Sequence, residues 1–254
     1  MPSEIKPQSP RRSLLFVPGD SPRKIEKIRA LKVDTVILDL EDSVAIKKKE
    51  SARQLLYQSL QTTDFGDKDL LVRINASTTD FFQPDVDLIA QAKPAGLVIP
   101  KVDSAEILKI IDRQLGVVEH DRGWPSGEIR LLALVESALS NINIKQIAKS
   151  TARLDALLFG AEDLAADMNA VRSAAGWEVF YGRSAVATAA AAYGLQAIDT
   201  VFVDYQDLVG LKQEAVFARN MGFSGKMAIH PRQIAIINEV FFLQPQKLLM
   251  LKAC

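Results

Sequence analysis

Eight short apolar runs, separated by stretches of helical pattern, constrain the fold of this chain more than any other feature. They are SLLFVPG (13–19), DTVILDLED (34–42), LLVRIN (70–75), GLVIPK (96–101), IRLLALVE (129–136), DALLFGAED (155–163), AIDTVFVD (197–204) and KMAIHP (226–231). Most are apolar at nearly every position, the pattern of parallel strands buried on both faces. Between them, segments such as KKKESARQLLYQSL, SAEILKIIDRQL and YQDLVGLKQEAVFARNMG carry apolar residues three and four apart among good helix formers. Eight strands, each followed by a helix, predict an α/β fold, a single (β/α)8 TIM barrel; a doubly wound sheet would use fewer strands in this length. Residues 116–128, GVVEHDRGWPSGE, read as a long loop inside that domain. The polar start MPSEIKPQSPRR reads as a flexible leader over residues 1–12, leaving one barrel domain over 13–254.

Composition narrows the function. With 31 basic against 31 acidic side chains, no bulk field favours nucleic acid or an anionic membrane. The longest nearly apolar stretch, Ala185 to Ala192, is far shorter than the roughly 20 residues that span a bilayer, and the leader has no apolar signal core. The one cysteine, Cys254, permits neither an intramolecular disulfide nor a thiolate zinc site. A cytoplasmic protein is expected, with no membrane and no nucleic-acid partner. There is no G-x-G-x-x-G, P-loop, H-E-x-x-H or G-x-S-x-G motif, and two histidines leave little room for a hydrolase triad.

Active sites of such barrels lie at the C-terminal strand ends. Those ends carry Pro18-Gly19-Asp20, Asp39-Glu41-Asp42, Arg73-Asn75, Pro100-Lys101, Glu136-Ser137, Glu162-Asp163, Asp204 and His230-Pro231. Carboxylates converging there repel one another unless a cation neutralises them. With oxygen donors alone, that cation is hard, Mg2+ or Mn2+, held by one or two carboxylates plus water and substrate oxygens. Glu136 and Asp163, on successive strand ends, are the pair within reach of one ion; the alternative is that each merely favours the start of its helix. Arg73 fits a two-point grip on a substrate carboxylate or, equally, an ion pair with Asp39 or Glu41 on the adjacent strand. His230 reads as a packed or hydrogen-bonded structural residue, His120 as a solvated loop residue. Lys47, Lys48 and Lys49 read as a solvated helix start, or alternatively as a phosphate contact.

The runs RSLLFVPGD, VILDLEDSV followed by KKESAR, LVRIN, LVIPK, LALVESA, LLFGAEDLAAD and GKMAIHPRQ, in this order, resemble the HpcH/HpaI aldolase–citrate lyase superfamily. The resemblance extends from about Arg12 to Asn238 and is strongest to the citrate lyase beta-subunit-like branch. It implies a TIM-barrel, Mg2+-dependent carbon–carbon lyase of 3-hydroxyacyl-CoA esters such as citryl-CoA, cleaved to acetyl-CoA and oxaloacetate, with coenzyme A entering as part of the substrate. It also implies a homotrimer or hexamer, with other citrate lyase subunits as further partners. By position, the resemblance puts the metal ligands on Glu136 and Asp163. It gives substrate-binding and catalytic roles to Arg73 and Glu136, and supporting acidic positions to Asp39, Glu41 and Asp42. Members of the branch continue past the IHPxQ segment into helices that lend an acidic residue to a neighbouring subunit; FFLQPQKLLMLKAC stands here instead, so a shortened C-terminus without that lid is expected. Two other functions fit such a chain: a metal-dependent aldolase using free 2-oxo acids, and an accessory subunit that binds a 2-oxo acid with little turnover.

Overall fold

All eight apolar runs form strands in the computed structural model, which describes residues 11–242. The strands are β1 (Ser13–Pro18), β2 (Thr35–Asp39), β3 (Asp69–Arg73), β4 (Gly96–Ile99), β5 (Arg130–Val135), β6 (Leu154–Phe159), β7 (Gln196–Asp199) and β8 (Gly225–Ala228). They pair in sequence order, all parallel, and β8 returns to β1 to close the barrel. The helices are α1 (Pro22–Glu26), α2 (Lys49–Thr62), α3 (Phe82–Gln91), α4 (Ala105–Arg122), α5 (Ala138–Ile142), α6 (Ile144–Ala148), α7 (Ala161–Asp167), α8 (Phe180–Tyr193), α9 (Leu208–Asn220) and α10 (Ile234–Val240). None of the helices among the described residues is long and apolar enough to cross a membrane.

The continuous apolar character of the strands has a direct cause. Successive strand residues point to opposite faces, and both faces are covered. Leu14, Ile37, Leu71, Val98, Leu132, Leu134, Ala156, Leu158, Ile198 and Met227 fill the barrel interior as one cluster. Their neighbours, among them Leu15, Val36, Leu38, Val72, Leu97 and Leu157, pack outward into a second cluster with the helices.

Three expectations are corrected. The segment 116–128 is not a loop over most of its length: α4 runs through Gly116 to Arg122 and stops at Gly123, whose φ of 66° is left-handed. Its buried face is Leu108, Ile111, Leu115 and Glu119, so the last residue of the helical stripe is a carboxylate. Glu119 is buried against Arg153, whose Nη2 donates to Oε2 at 2.9 Å. β7 ends at Asp199, and Asp204 lies in a turn where its Oδ1 accepts the N–H of Gln206 at 3.0 Å, away from the strand end. Arg11 and Arg12 are not part of a flexible leader. Arg11 is buried with its guanidinium on Asp69 and Asp155, and Arg12 grips Asp34 through Nε and Nη2, both at 2.7 Å. The rest of the expected leader and the C-terminal segment past Phe242 lie outside the described residues.

Candidate active site

The same two-residue alternation builds the site. Moving two positions beyond the apolar interior layer toward the C-terminal ends of the strands leads to Phe16, Asp39, Arg73, Pro100, Glu136, Gly160, Thr200 and Ile229. The apolar floor therefore gives way within one step to a layer that carries Asp39, Arg73, Glu136 and Thr200. All of these eight but Asp39 and Pro100 border a cavity of about 180 Å³, together with Leu134, Met227 and Asp163.

Glu136 follows the last residue of β5 and is 3% exposed. Its Oε1 accepts the backbone N–H of Lys101 at 2.8 Å. Its other oxygen takes no hydrogen bond from any described residue. A Cβ at residue 160 would lie 2.5 Å from Glu136 Cβ and 2.9 Å from Oε2, so glycine there is what admits the carboxylate. Burial pushes the Glu136 carboxyl well above its ordinary range, and the nearby charges of Glu41 and Asp163 push it further; the Lys101 N–H and Arg73 oppose this only in part. Asp163 stands in the first turn of α7 and is exposed on the cavity wall, with no hydrogen bond or ion pair to another described side chain.

Arg73 ends β3 beside Asp39 of β2, its register partner. Its Nε donates to Asp39 Oδ1 at 2.7 Å and its Nη2 to Oδ2 at 2.8 Å, a two-point fork. Its Nη1 lies 3.1 Å from Glu41 Oε2 and 3.3 Å from Asp42 Oδ2, and the guanidinium sits 4.8 Å over the Phe16 ring. Of the two roles open to Arg73, the ion pair with Asp39 is formed; Nη1 is the nitrogen outside that fork. Burial alone would raise the Asp39 carboxyl, but the Arg73 fork and the N–H groups of Ser43 and Glu41 outweigh it and hold Asp39 below the usual range. Glu41 differs. Burial raises it despite Arg73 and Lys101, and both its oxygens are buried without an aligned hydrogen bond, although Lys101 Nζ stands 3.3 Å from Oε1. Asp42 is largely exposed at the rim.

The basic run after β2 divides. Lys48 pairs with Asp20 at 3.0 Å, whereas Lys49 is buried and donates to the carbonyls of Leu40 at 2.7 Å and of Glu41, pinning the acidic loop. Lys49 is thus not the solvated residue its neighbours led one to expect. Its signal was the run itself, which cannot tell which lysine faces inward. His230 is structural as expected: it stacks on Tyr205 with ring centroids 4.6 Å apart, and its Nδ1 accepts the N–H of Arg232 at 3.2 Å. His120 is exposed, but on the last turn of α4 instead of in a loop. Gly160 and Thr200 carry no charge and so escape a search for reactive side chains; counting in twos from the apolar layer finds both.

Among the described residues no three His, Cys, Asp or Glu side chains gather as a full metal-ligand set. Glu136 and Asp163 nevertheless fit a hard divalent ion. Mg2+ commonly takes one or two carboxylates and fills its remaining positions with water and substrate oxygens. The pair is all-oxygen, and Glu136 keeps one oxygen without a donor in a site whose carboxylates repel one another.

A parallel barrel with its polar layer at the C-terminal strand mouth is the architecture of a barrel enzyme. Residues 12–231 match the HpcH/HpaI aldolase/citrate lyase family, and the chain belongs to it. It is 36% identical over 231 residues to the citrate lyase subunit beta of Leuconostoc mesenteroides subsp. cremoris, covering 91% of this chain and 76% of that protein. Over 250 residues it is 36% identical to the mitochondrial citramalyl-CoA lyase of Mus musculus, covering 94% and 73%. Its fold superposes with a TM-score of 0.76 and 31% identity on the protein CitE of Mycobacterium tuberculosis in complex with magnesium, acetoacetate and coenzyme A, covering 95% of this chain and 84% of that one.

Proposed function

We propose that this chain is a Mg2+-dependent carbon–carbon lyase that cleaves a 3-hydroxyacyl-CoA ester, with citryl-CoA, giving acetyl-CoA and oxaloacetate, as the leading substrate. The observation that carries this is Glu136, a buried carboxylate with one oxygen fixed and one without a donor, lining with Asp163 the same cavity at the barrel mouth. In this proposal Glu136 and Asp163 hold the ion, with Mn2+ as an acceptable substitute. Bound there, the ion supplies Lewis-acid polarisation of the substrate's hydroxyl and carboxylate oxygens.

The chain's own residues hold the substrate for the reaction. Cleavage passes the hydroxyl proton to a general base, turns the hydroxyl-bearing carbon into a ketone as its bond to the carbon next to the thioester breaks, and leaves the electron pair on the latter as an enolate. A proton returned to that carbon from the conjugate acid of a base completes acetyl-CoA. Arg73, held in place by Asp39, sets a permanent positive charge at the cavity edge, where it complements a substrate carboxylate in both ground and transition states. Phe16, Leu134, Met227 and Ile229 keep the reacting face apolar and exclude water.

A second function, aldol chemistry on free 2-oxo acids, is favoured by one feature: a cavity of about 180 Å³ is small against the roughly 300–1,000 Å³ of ordinary ligand pockets and fits a small acid better than a whole thioester. Purified protein incubated with Mg2+ and a panel of citryl-, malyl- and citramalyl-CoA, and separately with oxaloacetate or pyruvate plus an aldehyde, separates the two. Thioester cleavage abolished by a chelator is the expected result. Turnover of free acids alone would replace the lyase with the aldolase, and Mg2+-dependent oxaloacetate binding without turnover would make the chain an accessory subunit.

A further inference from the structure

Lys101 follows β4 in a left-handed backbone conformation, with φ of 50°. Lys93, Lys101 and Asn169 are the described non-glycine residues with positive φ, and of these Lys101 alone touches the carboxylates of the candidate site. A lysine gains nothing from this conformation, so the surroundings must impose it, and such residues concentrate at functional sites. Contacts that fasten this loop two residues on, at Asp103, are visible. The Ser137 hydroxyl donates to the Asp103 carboxylate, and Asn143 Nδ2 donates to the Asp103 carbonyl at 2.8 Å. Together they clamp the loop after β4 onto the segment 137–143 that follows β5. On the other side, the Lys101 ammonium group stands 3.3 Å from Glu41.

We propose that Lys101 is a positioning residue whose left-handed backbone presents its N–H to Glu136 Oε1, leaving Oε2 as the oxygen that meets the cation. This rests on Glu136 being a cation ligand, as proposed above. The role belongs to the main chain, not to the ammonium group: one residue must hand its N–H to β5 and turn the chain away in the same step. Glycine adopts this conformation freely, alanine with some strain, and a β-branched residue hardly at all.

The test is a series, Lys101→Gly, Lys101→Ala and Lys101→Val, titrated calorimetrically with MgCl2 at a temperature where melting curves show each metal-free variant folded. Glycine should bind Mg2+ within about threefold of the unaltered chain although the ammonium is gone, and valine at least tenfold more weakly than glycine. A role confined to stability would lower the melting temperature of the valine variant without moving its Mg2+ affinity. Equal affinity in the glycine and valine variants would overturn the proposal, as would a glycine variant as weak as valine, which would place the role in the ammonium group. Where valine does not fold, alanine is compared with glycine, and equal affinities again overturn it. Glu136→Gln is the control for the underlying assignment. Mg2+ bound by that variant as tightly as by the unaltered chain would refute the ligand role of Glu136 itself, whatever the Lys101 series shows.

Discussion

Two buried carboxylates near the same arginine behave in opposite ways, and hydrogen bonding accounts for the difference. Asp39 is buried and takes the Arg73 fork together with the N–H groups of Glu41 and Ser43, so removing the guanidinium leaves a buried charge without its counter-ion. Arg73→Met should destabilise the fold by about 3–5 kcal/mol, and Arg73→Lys by less, because an ammonium keeps the charge but not the planar fork. Urea denaturation of both variants checks this, and two near-neutral values would show that the Glu41 and Ser43 N–H groups suffice for Asp39. Glu136 carries the opposite sign. Its folded pKa lies above its unfolded one, so the folded state binds the extra proton between the two values and stability falls as pH rises through that window. Mg2+ binds the ionised form, so the rise in melting temperature caused by saturating Mg2+ should be larger at pH 8 than at pH 5. In Glu136→Gln that pH dependence should vanish together with the Mg2+ response; a response retained unchanged would remove Glu136 from the ligand set.

At the scale of the elements, strands were legible and helix ends were not. A parallel strand buried on both faces has to be apolar throughout, so each of the eight runs declared itself without reference to the rest of the chain. The end of α4 hides because its buried stripe finishes in Glu119, which belongs inside only because Arg153 meets it from the start of β6. No local pattern announces a partner so far away in sequence. The same limit applies to β7: the apolar residues Val201, Phe202 and Val203 extend the run past the point at which pairing stops. Glu136 and Asp163 line the cavity where their strand-end positions put them, whereas an ion pair of Arg73 with Asp39 or Glu41 was one of two open roles, and the register of β2 against β3 sets the fork on Asp39. Glu119→Ala should cost about 3–5 kcal/mol by stranding Arg153. Thermal unfolding measures it; a loss under 1 kcal/mol would mean that Asp112, 2.8 Å from Arg153 Nε, suffices as a partner.

For the whole molecule, closure of the barrel depends on residues that precede its first strand. Arg11 reaches across the end of the barrel opposite the candidate site to Asp69, Asp155 and Gln196, tying β3, β6 and β7 together. Main-chain contact is equally close there: a Cβ at Gly225 would fall 2.0 Å from the Arg11 carbonyl oxygen. Arg11→Met should therefore lower the melting temperature while leaving Mg2+ affinity within about twofold, since the site lies at the other end of the strands. Differential scanning fluorimetry with and without Mg2+ reads both quantities. A variant that loses affinity along with stability would show that the two ends are coupled through the strands.

The charges at the mouth also dictate a sequence of events in time. Among the described residues, the carboxylates Asp39, Glu41, Asp42, Glu136 and Asp163 outnumber the cations beside them, Arg73, Lys101 and the buried Lys49, and Asp39 and Glu41 already occupy much of the field of Arg73 and Lys101. A polyanionic thioester diffusing toward this surface is repelled until a divalent ion has arrived. Kinetics should accordingly follow a compulsory order, ion first and ester second. Initial-rate plots at varied Mg2+ and substrate should intersect in the pattern of ordered addition, and added salt should raise the rate at which the ester associates unproductively with the ion-free protein by screening the repulsion. Random-order addition would mean that the ester carries its own ion into the barrel.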